Sequence, residues 1–305
     1  MDEFFLEILP NDLKRKILSF KKEHIQEIRV RINKPVIIIK EGAEHILDKV
    51  ISTDDIKFIV QRISNYSLYA YEEDIKKGFI TIKGGHRIGI AGECVMDKDG
   101  VKTIKNISSL NIRVTREFIG SSIPLLNYIV DNDKVKNTLI ISPPKCGKTT
   151  ILRDLSRLIS NGNSKFKLNG KKVVVVDERS EICGSYLGVP QMDVGIRTDV
   201  LDNCQKTDGM IMAIRSLSPE VLICDEIGSF DDVEALKVAF NSGVNVIVSI
   251  HGESFDDISK RSNMRNLIEE KIIEIIVVLG NLGKVGNVMN IYSLDKSEGV
   301  YKCLR

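Results

Sequence analysis

The stretch Thr138-Leu139-Ile140-Ile141-Ser142-Pro143-Pro144-Lys145-Cys146-Gly147-Lys148-Thr149-Thr150 decides the fold. Thr138 to Ile141 reads as a strand. Thr149 to Ser160 reads as a helix, with Ile151, Leu152, Leu155, Leu158 and Ile159 on one stripe. A strand, a loop of the form G-x-x-x-x-G-K-[ST] and a helix make the setting of a phosphate-binding loop. There, backbone N–H groups and a helix N-terminus converge on an anion. Lys148 is expected to reach the β- and γ-phosphates of ATP, and Thr149 to coordinate Mg²⁺ through its hydroxyl. Ser142, Pro143, Pro144, Lys145, Cys146, Gly147 and Thr150 complete the expected cradle. Two residues depart from the pattern. Ser142 replaces the first Gly, and Lys145 stands where related loops often carry Gly. If position 145 needs a positive φ, Lys costs about 1 kcal/mol of strain there. The alternative is a chance Gly-Lys-Thr at a helix start, and the acids downstream weigh against it.

Those acids end two further strands. Val221-Leu222-Ile223-Cys224-Asp225-Glu226 is an apolar run closed by two carboxylates. Strand C-terminal ends face the ligand crevice in such folds. Asp225 is expected to hold Mg²⁺, directly or through water, and Glu226 to orient or polarise the attacking water. Val173 to Val176 leads likewise into Asp177-Glu178-Arg179-Ser180-Glu181, which makes Glu178 a rival for the same role. Spacing alone does not separate the two. Ser249-Ile250-His251-Gly252 ends another buried strand, where His251 could sense the γ-phosphate through a hydrogen bond. Arg215, in Ala213-Ile214-Arg215-Ser216, is expected to point to the site or to a neighbouring subunit. For each of these the plain alternative is structural: a helix-capping acid pair, a satisfied loop histidine, a solvated helix arginine.

The chain divides near residue 125. Residues 1–125 alternate short apolar runs with polar turns: strands at Ile25–Arg31 and Val36–Lys40, a helix from Thr53 to Tyr69, a hairpin of Phe79–Ile82 and Arg87–Val95, and a strand at Asn111–Val114. This predicts a smaller α+β domain. Arg29, Arg31, Arg87, Arg113 and Arg116 lie in it, a source of positive charge for a nucleotide held between domains. From residue 126 to residue 305 the rhythm is strand, helix, strand. Helices at Gly209–Ser216 and Asp231–Asn241 separate strands at Val173–Val176, Val221–Cys224 and Val244–Ile250. The prediction is an α/β domain with a mainly parallel sheet covered by helices on both faces. Ile272–Leu279 and Val288–Ser293 read as an added hairpin.

Composition narrows the functions. Of 305 residues, 43% are hydrophobic and 28% charged, ordinary for a globular protein. The net charge of +2 gives no global attraction to nucleic acid or to an anionic membrane. Trp is absent, which argues against a carbohydrate-stacking surface. The six Cys form no C-x-x-C pair and the four His are scattered, which argues against a zinc site. Cys146 and Cys224 fall inside the nucleotide motifs, so a reducing cytoplasm is expected. The acidic start followed by Lys14, Arg15 and Lys16 does not make a signal peptide. Ile272 to Gly280, the longest apolar stretch, contains Glu274 and is far shorter than the roughly 20 residues of a membrane span.

The full set of motifs resembles the stage III sporulation AA family, within the wider superfamily of type II and type IV secretion ATPases. The resemblance rests on Pro143-Pro144 with Gly147-Lys148-Thr149-Thr150, the run Val176 to Glu181, Gly209 to Ser216, Asp225-Glu226-Ile227-Gly228 and Ile250-His251-Gly252. In the first domain it rests on Glu27 to Arg31 with Pro35, and on Arg87 to Gly92. It implies a RecA-like P-loop ATPase domain behind the smaller domain. It also implies a nucleotide surrounded by Glu178, Glu226 and His251, with Arg113 contributed by the first domain. The relatives imply a homo-oligomer, hexameric by analogy, at the cytoplasmic face of a membrane. The partners implied are inner-membrane proteins of a channel between mother cell and forespore, with no nucleic acid. The expected function is therefore the ATPase motor of a secretion-like channel in sporulation. The alternatives are a nucleic-acid motor or loader, and a nucleotide-gated assembly protein with little turnover, which the departures at Ser142 and Lys145 keep in view.

Overall fold

The computed structural model describes residues 4–19, 24–64, 71–98, 100–280 and 286–305. The chain forms two compact units. Residues up to Arg116, with Gly184–Gln191, make the first; Glu117–Cys183 and Met192–Arg305 make the second.

The first unit runs α1 (Phe4–Glu7), α2 (Asn11–Leu18), β1 (Ile25–Arg31), β2 (Pro35–Lys40), β3 (Ala43–Val50), α3 (Thr53–Ile63), α4 (Glu72–Lys76), β4 (Phe79–Ile82), β5 (His86–Asp97) and β6 (Gly100–Arg113). The six strands form one antiparallel sheet in the order β3-β2-β1-β6-β5-β4. Alternation drives it: Ile28, Val30, Ile38, Ile88, Ile90, Leu110 and Ile112 turn to one face and are buried with Leu13, Ile17, Ile56, Ile59 and Ile63 from the helices. Ser52 and Asp55 form a reciprocal capping box that starts α3. That helix ends at Ile63, short of the expected Tyr69, and residues 65–69 lie outside the described residues. Two features differ from the sequence reading. The edge strand β3 exists, and β6 begins at Gly100 rather than Asn111. Beyond Ala91 and Ser109, β5 and β6 run on as a two-stranded ribbon whose residues are largely exposed, so no apolar alternation marks it.

The second unit runs α5 (Ile123–Ile129), β7 (Val130–Asp131), β8 (Lys134–Val135), β9 (Thr138–Ser142), α6 (Lys148–Asn161), β10 (Val173–Asp177), β11 (Thr198–Asp202), α7 (Lys206–Ser216), β12 (Val221–Cys224), α8 (Phe230–Asn241), β13 (Asn245–His251), α9 (Phe255–Ser259), α10 (Ser262–Glu269), β14 (Ile275–Gly280), β15 (Asn287–Asp295) and β16 (Val300–Cys303). Eight strands form one sheet in the order β11-β10-β12-β13-β9-β14-β15-β16. The first six are mutually parallel and the last two antiparallel. Both faces are covered. Ile140, Val173, Val175 and Ile223 pack with Ile151, Leu152 and Leu155 of α6. Leu139, Ile141, Val174, Val176 and Leu222 pack with Met210 of α7 and Leu236 of α8. This double burial is why these strands read as unbroken apolar runs. α7 lies so close to β10 that a Cβ on Gly209 would come within 2.6 Å of Val176. The expected tail hairpin is integral: β14 pairs parallel with β9, extending the sheet on that side.

The division falls after Arg116, earlier than the sequence reading near 125. The cause is Asp154 on α6, which is buried. Its carboxylate accepts from the Gly120 N–H at 3.0 Å and the Ser122 N–H at 2.7 Å, while the Ser122 hydroxyl donates to Ile151 O at 2.9 Å. The segment that enters the second unit is thereby tied to its phosphate-loop helix.

Candidate functional site

The connection from β9 to α6 is the loop that opened the sequence reading. Ser142 is buried, its hydroxyl donating to Pro143 O at 2.8 Å and its carbonyl accepting from Gly252 N at 3.2 Å. Lys145 has φ 62°, so the roughly 1 kcal/mol of strain that a non-glycine bears in the left-handed region is present. Gly147 precedes α6 with φ 90°, which glycine adopts freely. Cys146 is buried, and its carbonyl accepts from Gly286 N at 2.8 Å, so the tail strands brace the loop. Lys148, Thr149 and Thr150 form the first turn of α6, where no acidic side chain competes with an incoming anion.

One strand, β13, separates β9 from β12 and brings the loop and the carboxylates together. Lys148 Nζ lies 2.6 Å from Glu226 Oε1 and 3.1 Å from Asp225 Oδ1. Thr149 Oγ1 lies 3.5 Å from Asp225 Oδ2. Ser249 of β13 donates its hydroxyl to Asp225 Oδ1 and accepts the Glu226 N–H at 3.0 Å, fixing the Asp225 carboxylate and the Glu226 backbone. Glu226 itself has φ 54°, strain of the kind that collects at functional positions. Burial raises its carboxyl, but the bond from Lys148 and the charges of Lys148, Arg179 and Lys206 outweigh that, and the group sits below the ordinary carboxylate range. Asp232 closes the turn that follows, accepting the Gly228 and Ser229 N–H groups at 3.0 Å each.

The second acid-rich strand end is built around Asp177. This buried carboxylate accepts the N–H groups of Glu181 at 2.9 Å, Ile182 at 2.9 Å and Cys183 at 2.8 Å. The loop it organises presents Glu178, bonded to Lys206, and Arg179, whose Nη1 lies 3.3 Å from Glu226 Oε2. Burial pushes Asp177 up to about 6, against those N–H donors and with a smaller push from Asp202. Its unfolded value is about 3.9, so between those two the folded chain binds the extra proton. Stability contributed by this group is therefore full at low pH and lost as pH rises through about 6, on the order of 3 kcal/mol for a shift of about two units. Urea unfolding of the wild type and Asp177→Asn should show the wild type losing ground between pH 4 and pH 7. A flat or rising difference would contradict the assignment.

The other expected residues distribute unevenly. His251 pairs in register with Ser142 at the mouth of the loop; its side chain is exposed, and its carbonyl accepts from Arg261 at 2.8 Å. Arg215 is not gathered with the acids. α7 starts at Lys206, beside Glu178, and Arg215 lies nine residues further, about 14 Å along the axis, on the exposed last turn. Arg113 ends β6 in the first unit, in register with Glu27 and Arg87. Of the first-unit arginines, Arg116 is bound to Ile25 O at 2.7 Å and Arg87 stacks on Phe79 at 3.5 Å. Ser249 and Lys206 were not foreseen. A hydroxyl inside the apolar run Val246-Ile247-Val248-Ser249-Ile250 was the available signal for the first.

The donor set suits Mg²⁺. Thr149 and Asp225 offer hard oxygens side by side, next to an anion-binding loop. Among the described residues no cluster of three or more His, Cys, Asp or Glu could hold a metal ion. A Mg²⁺ here would take most of its oxygens from phosphates and water, as it commonly does.

With this geometry the class follows. The ATPase DotB of Yersinia pseudotuberculosis matches with a TM-score of 0.65 at 15% identity, covering 94% of this chain and 81% of that one. The pilus retraction motor PilT with bound ADP matches at 0.60 and 15%, covering 94% and 82%. The fold is a RecA-like P-loop ATPase domain preceded by a smaller α+β domain. The family model for sporulation stage III, protein AA matches residues 3–299. Stage III sporulation protein AA of Bacillus subtilis (strain 168) is 44% identical over 305 residues, 97% of this chain and 98% of its own. The chain belongs to the stage III sporulation protein AA family.

Proposed function

We propose that this chain binds Mg-ATP and hydrolyses it as the motor of a secretion-like channel apparatus in sporulation. The observation that carries the reading is the meeting of Lys148, Thr149, Asp225, Glu226 and Ser249 at the C-terminal ends of β9, β12 and β13. Loop N–H groups and Lys148 bind the phosphates. Lys148 exchanges its carboxylate partners for phosphate oxygens, which frees Glu226 to accept the proton of an attacking water. Ser249 keeps Asp225 turned toward Thr149. When bound, Mg²⁺ would neutralise phosphate charge and would be held by Thr149 and Asp225. His251, at the mouth of the loop, is proposed to read the γ-phosphate, and Arg113 and Arg215 to contribute charge within an assembled oligomer.

Membership of the sporulation family and the fold of secretion-type ATPases support the motor role, a hexameric assembly and a cytoplasmic position held at the membrane by inner-membrane partners. Among the described residues no helix is long and apolar enough to cross a membrane. The test is steady-state ATP hydrolysis by the purified chain with Mg²⁺ and with EDTA, alongside light scattering with a non-hydrolysable ATP analogue. Mg²⁺-dependent phosphate release and a nucleotide-promoted oligomer are expected. No release under any condition would refute the enzyme reading, and a persistent monomer would refute the ring.

A further inference from the structure

Among the described residues, one buried cation takes no part in the site as described. Arg153 lies on α6, five residues after Lys148, and is only 7% exposed. Its Nε donates to Ile182 O, and its Nη2 donates to Glu181 O at 2.8 Å. The same two residues give their N–H groups to Asp177 on β10. The backbone at 181–182 is thus gripped from two sides, its donors by a carboxylate on the sheet and its acceptors by a guanidinium on the phosphate-loop helix. Just upstream, Ser180 has φ 52° and is tied to Asp202 at 2.7 Å. Glu178 and Arg179 project from the start of this strapped segment.

Burying a guanidinium is costly, and an apolar side chain of similar volume would fill the space more cheaply. Burial pushes Arg153 below its ordinary value, with partial compensation from Cys183, Glu117 and Asp177. What the guanidinium supplies and an apolar chain cannot is a rigid planar pair of donors for two successive carbonyls.

We propose that Arg153 is a positioning residue that sets the Glu178–Arg179 loop in register with the phosphate-loop helix, so that Arg179 meets Glu226 beside Lys148. The proposal rests on the nucleotide-hydrolysis reading above. The guanidinium bonds described for Arg153 go to the backbone of Glu181 and Ile182, so its proposed effect on the chemistry runs through the loop. A displacement of about 1 Å in a positioning segment can cost about 100-fold in rate.

The test uses the full chain with Arg153→Met, which keeps volume and removes both donors, and Arg153→Lys, which keeps the charge and one donor. Three quantities are read: kcat for ATP, the dissociation constant for a fluorescent ATP analogue, and amide hydrogen exchange. The expected result for Arg153→Met is kcat lowered 10- to 100-fold, a dissociation constant within about threefold of wild type, and faster exchange at Glu181, Ile182 and Cys183 with α6 amides unchanged. Arg153→Lys should fall between that variant and wild type. An unchanged loop exchange overturns the proposal. So does a parallel loss of binding, rate and α6 protection, which would mark Arg153 as a general structural brace. If wild type itself fails to bind nucleotide, the ATPase reading falls, while the exchange measurement still decides whether Arg153 holds the loop.

Discussion

Lys148→Ala should abolish measurable ATP hydrolysis and weaken ATP binding by at least about 100-fold, while leaving the fold intact. Lys148 projects from the first turn of α6 into a space closed by Asp225 and Glu226, and its side chain is 11% exposed. Truncation removes the cation and leaves two carboxylates facing the position of the phosphates. Losing one partner of a desolvated charge pair costs about 2–5 kcal/mol, which is roughly 30- to 5,000-fold in affinity. The residual carboxylate repulsion adds to that loss. Thermal unfolding should fall only modestly, because the loss is confined to the ion pairs of Lys148, while Ser249 still holds the Asp225 carboxylate and the Glu226 N–H. Titration calorimetry with ATP and Mg²⁺, run beside phosphate-release kinetics, checks the expectation. Turnover equal to wild type would remove the loop from the chemistry and the central assignment with it.

What the sequence made legible follows burial. The strands β9, β10, β12 and β13 are covered on both faces and announce themselves as apolar runs. β11, with Thr198, Asp199 and Asp202 in five residues, is a half-exposed edge strand with no such signature. β3 and the outer half of β6 escape for the same reason. In the site, Lys148, Thr149, Asp225 and Glu226 were legible because a phosphate loop constrains chain order as well as composition. Ser249 was not, since a single hydroxyl in a buried strand gains meaning only when strand order places β13 between β9 and β12. Arg215 was open to two readings, its own site or a neighbouring subunit. α7 starts beside Glu178 and carries Arg215 on its last turn, away from the acids of its own chain, so the reading left for Arg215 is a proposed contact with a neighbouring subunit. The domain boundary depended on Asp154, whose role is visible only through the backbone N–H groups it collects.

For the proposed hydrolysis two acids are candidates to activate water, and Glu226 is the one proposed. Glu226 shares the ammonium of Lys148 with Asp225, at the position proposed for the phosphates, and Arg179 lies beside its other oxygen. Glu178 is instead tied to Lys206 at the start of α7; burial lowers that lysine, but the bond and charge of Glu178 outweigh it and leave it above its ordinary value. Glu226 gives up one of its two cations when Lys148 turns to phosphate, which leaves the carboxylate beside that phosphate free to receive the proton of a water. Glu226→Gln is therefore expected to lower kcat by about 10²–10⁴ while ATP still binds, because the amide keeps the volume and loses the base. Glu178→Gln should lower kcat less than tenfold. Single-turnover hydrolysis with prebound ATP separates the two from any change in affinity or product release. If Glu178→Gln gives the larger loss, the role passes to the loop that Asp177 and Arg153 hold in place. If neither variant slows turnover, neither carboxylate activates water, and the proton must leave by another route.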